Sequence, residues 1–254
     1  MLSEPGVFVT GTDTGVGKTV VAAALGLAAQ AQGRSAVGLK PAQTGDDGTS
    51  TTDAAFVQGV LGTSEPEGAV CPYSLRAPLA PAVAAELEER RLDTAVVAAA
   101  YAALRRRHDY VVVEGAGGVL VPFADGVNMG DLVALLNLPV VVVARPGLGT
   151  LNHTLLTLDA LHRRGLRVLG VVISGFPAEP GLDAATNPAV LARLSPVPLL
   201  GVLPFDPELD TAAGRAGSLR EAGPAGLDAL LGGTFSPARF LRWLRERQTE
   251  LRSG

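Results

Sequence analysis

The chain has 254 residues, 47% of them apolar, and a formal net charge of −4; this suits one α/β domain over residues 1–254 and leaves little room for a second large one. Its 21 basic residues are scattered among 25 acidic ones, so no concentrated basic surface is available and nucleic acid is not an expected partner. No apolar run reaches the ~20 residues that span a bilayer, and the opening MLSEPGVFVTG lacks a basic leader, so no membrane partner is expected and the location read from the sequence is cytoplasmic.

The first strand is expected over Val7–Thr10 and the first helix over Val20–Gln32. Between them lies Gly11-Thr12-Asp13-Thr14-Gly15-Val16-Gly17-Lys18-Thr19. Strand, glycine-rich turn, GKT and helix in that order is the context of a phosphate-binding loop. The strict spacing wants glycine at position 12, where this chain has Thr12, with Gly11 one place earlier. The loop is therefore a variant, one residue longer. Gly15, Val16, Gly17, Lys18, Thr19 and Val20 form the expected nucleotide cradle. Backbone N–H groups converge on phosphate oxygens at a helix start, Lys18 bridges the β- and γ-phosphates, and the Thr19 hydroxyl meets Mg²⁺.

A second strand, Ala36–Leu39, runs into Lys40. Lys18 and Lys40 are the only lysines among the 21 basic residues; all the others are arginines. Arginine covers most surface roles of lysine but not that of a compact ammonium between oxygens, so these two positions read as chemically demanding. Thr44–Thr52, rich in Gly, Asp and Thr, reads as a functional or surface loop. Asp53, expected in the loop after the second strand, is either a metal carboxylate or an ordinary turn or helix cap. The single cysteine, Cys71, reads as a packing residue in preference to a nucleophile.

A helix is expected over Thr94–Arg107 and a strand over Tyr110–Val113, which ends in Glu114 and the small residues Gly115, Ala116, Gly117 and Gly118. A carboxylate closing a buried strand beside a phosphate loop is placed to hold the metal, and Glu114 is the candidate. Further strands at Val140–Ala144, Val168–Ile173 and Leu199–Leu203 are separated by a helix at Leu151–Arg163, an irregular stretch at Phe176–Pro188 and a helix at Pro188–Leu194. Continuous Val-rich runs fit strands buried on both faces. The fold expectation is a doubly wound, mostly parallel sheet with helices on both faces, of the P-loop NTPase kind. The tail, residues 236–252, reads as an amphipathic helix with Phe240 and Trp243 on one face.

The motifs GTDTGVGKT, Lys40-Pro41-Ala42-Gln43-Thr44-Gly45, Thr52-Asp53-Ala54, Glu114 to Gly118, and Gly147 to His153 resemble the dethiobiotin synthetases in order and spacing over roughly residues 6–205. The resemblance implies ATP-dependent conversion of 7,8-diaminopelargonic acid and CO₂ to a cyclic urea. It assigns Lys40, Lys18 and Thr14 to the reacting carbamate, and Thr44 and Gly117 to the same end of the substrate. Thr19, Asp53 and Glu114 gather Mg²⁺. It further implies a homodimer in which Thr150, Leu151 and Asn152, opening a helix, receive the substrate carboxylate from the neighbouring subunit.

Two departures stand out. Ser174-Gly175 occupies the place where many members carry Asn-Asp to read the adenine edge, and a hydroxyl cannot pair a donor with an acceptor as an amide does. Gly15 stands where many carry a larger polar residue. Leu203, Pro204 and Phe205 either flank the base or are plain strand-end packing. Partitioning ATPases carry a second loop lysine where this chain has Asp13, and cobyrinic acid amide synthetases add a glutaminase domain for which this chain is too short. A switch ATPase and a small-molecule kinase are the alternatives to the ligase.

Overall fold

The computed structural model describes residues 5–227; the expected tail helix at 236–252 lies outside them. In chain order the first half comprises β1 (Gly6–Gly11), α1 (Lys18–Ala31), β2 (Ala36–Leu39), β3 (Gln43–Thr44), α2 (Asp53–Leu61), α3 (Glu67–Val70), β4 (Ser74–Leu75), α4 (Pro81–Leu87), α5 (Thr94–Arg105) and β5 (Tyr110–Gly118). The second half comprises β6 (Pro122–Ala124), β7 (Val127–Asn128), α6 (Met129–Leu136), β8 (Val140–Ala144), α7 (Thr150–Arg163), β9 (Val168–Phe176), α8 (Leu182–Leu194), β10 (Leu199–Pro204), β11 (Leu209–Asp210), β12 (Arg215–Ala216) and α9 (Leu219–Gly226).

Six strands form one parallel sheet in the order β10-β9-β8-β1-β5-β2. Alternate residues of β1 feed opposite faces: Val7 and Val9 pack with Val21, Leu25 and Phe56, while Phe8 packs with Val97, Leu104, Leu132 and Leu161. Helices α1, α2 and α9 thus cover one face, and α5, α6, α7 and α8 the other, which is why the strands read as unbroken apolar runs. The chain winds outward from β1 to one edge, then returns to β8 on β1's other flank. That reversal places the ligand crevice beyond the carboxyl end of β1. Gly38 in β2 permits the close seating of α2, because a Cβ there would stand 2.6 Å from Val57 Cγ1.

Two local expectations are corrected. Phe176–Pro188 is not irregular throughout: α8 starts at Leu182, with Gly181 as its N-cap. Pro177 and Pro180 precede the helix, and only Pro188 lies inside it. An internal proline deletes a helix hydrogen bond, but this turn is anchored from outside: Asn187 donates to the carbonyls of Pro146 and Gly147 at 2.7 and 3.3 Å, and Ala184 and Leu191 are buried. Asp53 does not sit in a loop; it is the first residue of α2, whose N-cap Thr52 accepts from the Ala55 N–H at 3.2 Å.

Cys71 is buried, and its Sγ lies 3.3 Å from the Tyr73 carbonyl. Burial pushes the thiol up to about 11, so thiolate is scarce at neutral pH. The folded protein is expected to resist a thiol-specific disulfide reagent in mildly alkaline buffer and to release one equivalent only on denaturation. Rapid colour development from native protein would contradict the buried placement.

Candidate active site

The loop after β1 is shaped by glycines where side chains have no room. Gly15 and Gly17 adopt φ of 73° and 91°, the left-handed region in which glycine is at ease. At Gly11 a Cβ would fall 2.7 Å from the Asp13 carbonyl and 3.1 Å from Lys18 Nζ. The loop is fastened to β8 by the Thr12 N–H, which donates to the Val143 carbonyl at 2.9 Å. Asp13 caps it by accepting from the Thr14 N–H at 2.7 Å. Lys18 opens α1 and folds back so that its ammonium donates to the Asp13 carbonyl at 3.0 Å.

A strand end, a strand and a helix start bring the remaining charged groups to this loop. Lys40 follows β2 directly, Glu114 lies within β5, and Asp53 comes from the start of α2. Lys40 Nζ is 2.6 Å from Asp53 Oδ2 and 2.7 Å from Glu114 Oε1. Thr19 Oγ1, on the first turn of α1, donates to the same Glu114 oxygen at 3.0 Å. Lys18, Thr19, Lys40 and Glu114 are all at least nine-tenths buried.

Burying such charges is unfavourable unless they are paired, and the titration behaviour follows. Burial lowers the Lys18 ammonium below its ordinary value, with the Glu114 carboxylate opposing. For Lys40 burial acts the same way, but Glu114 and Asp53 outweigh it and hold the ammonium above the ordinary lysine value. Burial raises Glu114, only partly offset by Lys40, whereas at Asp53 the Lys40 ammonium overcomes burial and lowers the acid. Thr19, Asp53 and Glu114 together present an all-oxygen donor set of the kind a hard divalent cation takes.

These groups line a cleft of about 810 Å³. Twelve residues expected there from the sequence line it: Thr14, Gly15, Gly17, Lys18, Thr19, Val20, Lys40, Thr44, Asp53, Glu114, Ala116 and Gly117. A larger depression of about 1170 Å³, between α4 and the β6–β7 hairpin, contains none of them.

The family of this chain follows from its relatives. The ATP-dependent dethiobiotin synthetase BioD of Anaeromyxobacter dehalogenans strain 2CP-C is 50% identical over 217 residues, covering 85% of this chain and 97% of that protein. The chain belongs to the dethiobiotin synthetase family. The Bacillus licheniformis dethiobiotin synthetase is 42% identical over 200 residues, 78% of this chain and 85% of its own length. A family described as AAA domain matches residues 5–213. Among solved structures, the MinC:MinD cell division protein complex of Aquifex aeolicus superposes with a TM-score of 0.58 at 14% identity, covering 92% of this chain and 98% of that chain. MinD of Pyrococcus horikoshii, solved with Mg-ADP, superposes with a TM-score of 0.53 at 19% identity over 97% of this chain and 96% of its own. At such identities these two share the fold and nothing more is read from them.

Other residues expected in the dethiobiotin synthetase site stand outside the cleft lining. Val16 is buried beneath the loop, and Gly115 lies against the Phe8 ring. Ser174 is buried with its side chain pressed on Gly17, whose Cβ, if present, would overlap the Ser174 hydroxyl; Gly175 follows it with φ 72°. Leu203 is in the core, Pro204 closes β10, and Phe205 is exposed. Thr150 opens α7 but is fully buried, its hydroxyl facing Thr154 Oγ1; Leu151 is partly buried and Asn152 exposed.

The lining also extends past residue 205, beyond the stretch that the sequence resemblance covers. Pro207, Leu209, Asp210, Thr211 and Arg215 border the cleft. Here β11 and β12 form a hairpin closed by an Asp210–Arg215 ion pair at 2.9 Å, and the Thr51 N–H clips it by donating to the Ala212 carbonyl at 2.8 Å. The available signal was the Asp210-to-Gly214 turn, with Gly214 at φ 71°, a pattern of turn residues readable from sequence alone.

Proposed function

We propose that the protein closes the ureido ring of dethiobiotin from 7,8-diaminopelargonic acid, CO₂ and ATP, releasing ADP and phosphate. The observation that carries this is the meeting of Lys18, Lys40, Asp53 and Glu114 in one cleft at the phosphate loop. CO₂ adds to one amine of the diamine and gives a carbamate. A carbamate oxygen attacks the γ-phosphorus and ADP leaves. The second amine then attacks the carbamoyl carbon, expelling phosphate and closing the ring.

The chain's own residues serve this by position and charge. Two anions must meet, and at an effective dielectric near 20 their repulsion at contact is about 4 kcal/mol. Lys18 reaches the β- and γ-phosphates and Lys40 the carbamate, opposing that repulsion; Thr14 and Thr44 offer hydroxyls to the carbamate end, beside Gly117. Backbone N–H groups from Gly15 to Val20 hold the phosphates. Thr19, Asp53 and Glu114 hold Mg²⁺, which when bound neutralises charge on the transferring phosphoryl group. Apart from the metal the charges that meet beside the phosphate loop are two ammoniums and two carboxylates, so a triphosphate needs such a cation.

The opening turn of α7, Thr150, Leu151 and Asn152, of which Asn152 is exposed, is read as receiving the substrate carboxylate of a second copy through its backbone N–H groups, which makes the working unit a homodimer; among the described residues this turn does not line its own chain's cleft. No helix among the described residues is long and apolar enough to cross a membrane, and a cytoplasmic, nucleotide-fed enzyme fits that. Mixing protein, Mg·ATP, bicarbonate and diaminopelargonate should release ADP only when both carbon substrates are present. ADP release indifferent to the diamine would indicate a switch ATPase, and a phosphorylated end product a kinase.

The base site yields a separate prediction. Ser174 is occupied against Gly17, and the residue that follows it is Gly175, which has no side chain to read an adenine edge, so ATP is expected to win only weakly over CTP and GTP in competition. A strong preference for ATP would show that other residues, the β11–β12 hairpin first among them, read the base.

A further inference from the structure

An ammonium and a metal donor set share one place in this cleft. Lys40 Nζ bonds Asp53 Oδ2 at 2.6 Å and Glu114 Oε1 at 2.7 Å, and Thr19 Oγ1 approaches that Glu114 oxygen at 3.0 Å. Magnesium bonds its oxygens at about 2.0–2.1 Å. A divalent ion seated on these oxygens would lie within contact distance of an ammonium still bound to them, and two cations cannot share the seat.

We propose that Lys40 is a resident counter-ion that neutralises Asp53 and Glu114 until the divalent metal arrives, and that the metal displaces its ammonium along the cleft. The residue type supports exchange. In a chain with arginine at nineteen of its 21 basic positions, a guanidinium here would clamp carboxylates through its rigid fork, whereas an ammonium on a four-carbon stem can swing away. The nearby cleft wall offers Thr14, Thr44 and Gly117. The exchange makes loading ordered: Lys40 becomes free to meet a second anion only after the metal has taken its carboxylates. That this second anion is the carbamate rests on the function proposed above; the exchange itself does not.

Because the chain has only two lysines, isotopically labelled lysine gives two side-chain signals, assignable with Lys18→Ala. Adding Mg²⁺ and a nonhydrolysable ATP analogue, without diamine or bicarbonate, is expected to move the Lys40 signal in step with metal binding followed by calorimetry. In a second arm, Lys40→Met is expected to bind Mn²⁺ in the absence of nucleotide roughly tenfold or more tightly than the parent, because a cation a few ångströms from the metal has gone. A Lys40 signal that stays put through metal saturation overturns the proposal, as does equal or weaker Mn²⁺ binding by a folded Lys40→Met protein. If that variant does not fold, the labelled wild type decides alone. Neither arm contains a carbon substrate, so failure of the ring-closure assay and failure of the exchange are separate results.

Discussion

Lys18→Ala is expected to lower kcat/KM by about 10²–10³-fold or more, the ~3 kcal/mol typical of a preorganised charge at a transferring group. The loop itself should survive, because its shape comes from Gly15, Gly17, the Thr12 N–H bond to the Val143 carbonyl and the Asp13 carboxylate's bond from the Thr14 N–H, none of which needs the ammonium. Arginine should not rescue the loss, because a planar guanidinium fork is not the compact ammonium that bonds the Asp13 carbonyl at 3.0 Å and reaches between phosphate oxygens. A pH profile tests the same assignment. Burial sets Lys18 below the ordinary 10.5 while Lys40 is held above it. The alkaline fall of kcat/KM should therefore begin below pH 10.5, as Lys18 loses its proton while Lys40 keeps its own. An alkaline limb at or above that value would assign the essential proton elsewhere.

How much of this was readable in advance depended on the range of the interactions. The six strands were legible because each is buried on both faces, and a run such as Val140–Ala144 admits little else. The phosphate loop was legible because glycines at fixed offsets answer a local backbone demand. Helix α6 was missed: Asn128 and Asp131 form a capping box around its start, a signal present in the sequence, but its apolar pattern of eight residues is too short to stand out. The start of α8 was missed because Phe176–Pro188 carries three prolines, Pro177, Pro180 and Pro188, of which only the last lies inside the helix. The cleft's charges were legible as residue types and not as partners. Nothing local says that Lys40 binds Asp53 and Glu114 at once, since that contact joins a strand end, a helix start and a strand 74 residues away. The hairpin over the cleft failed for the opposite reason: its turn signal was local, but its place beside Thr51 depends on the whole sheet.

Lys40→Ala should separate binding from chemistry and cost stability as well. The phosphate loop does not contain Lys40, so affinity for the nonhydrolysable nucleotide measured without divalent metal is expected to stay near that of the parent, while ring closure falls by about 10²-fold or more for want of a cation at the carbamate. Removing one partner of a buried charge set typically costs about 3–5 kcal/mol, which in a domain of this size lowers Tm by roughly 10 °C. The pH dependence has a definite sign. Lys40 has a raised folded value, so its contribution is fully present below pH 10.5 and is lost only as pH rises through that raised value. Asp53 has a lowered value, so its contribution is present above pH 3.8 and is lost as pH falls further. Both contributions are intact at neutral pH, and there the Tm deficit of Lys40→Ala should be largest and should shrink in strong acid, where Asp53 and Glu114 become protonated and need no counter-ion. Mg²⁺ with nucleotide should recover part of the deficit by supplying positive charge to the same carboxylates, yet should not restore turnover. Near-normal turnover in a folded Lys40→Ala protein would remove Lys40 from the chemistry and leave it a structural counter-ion alone.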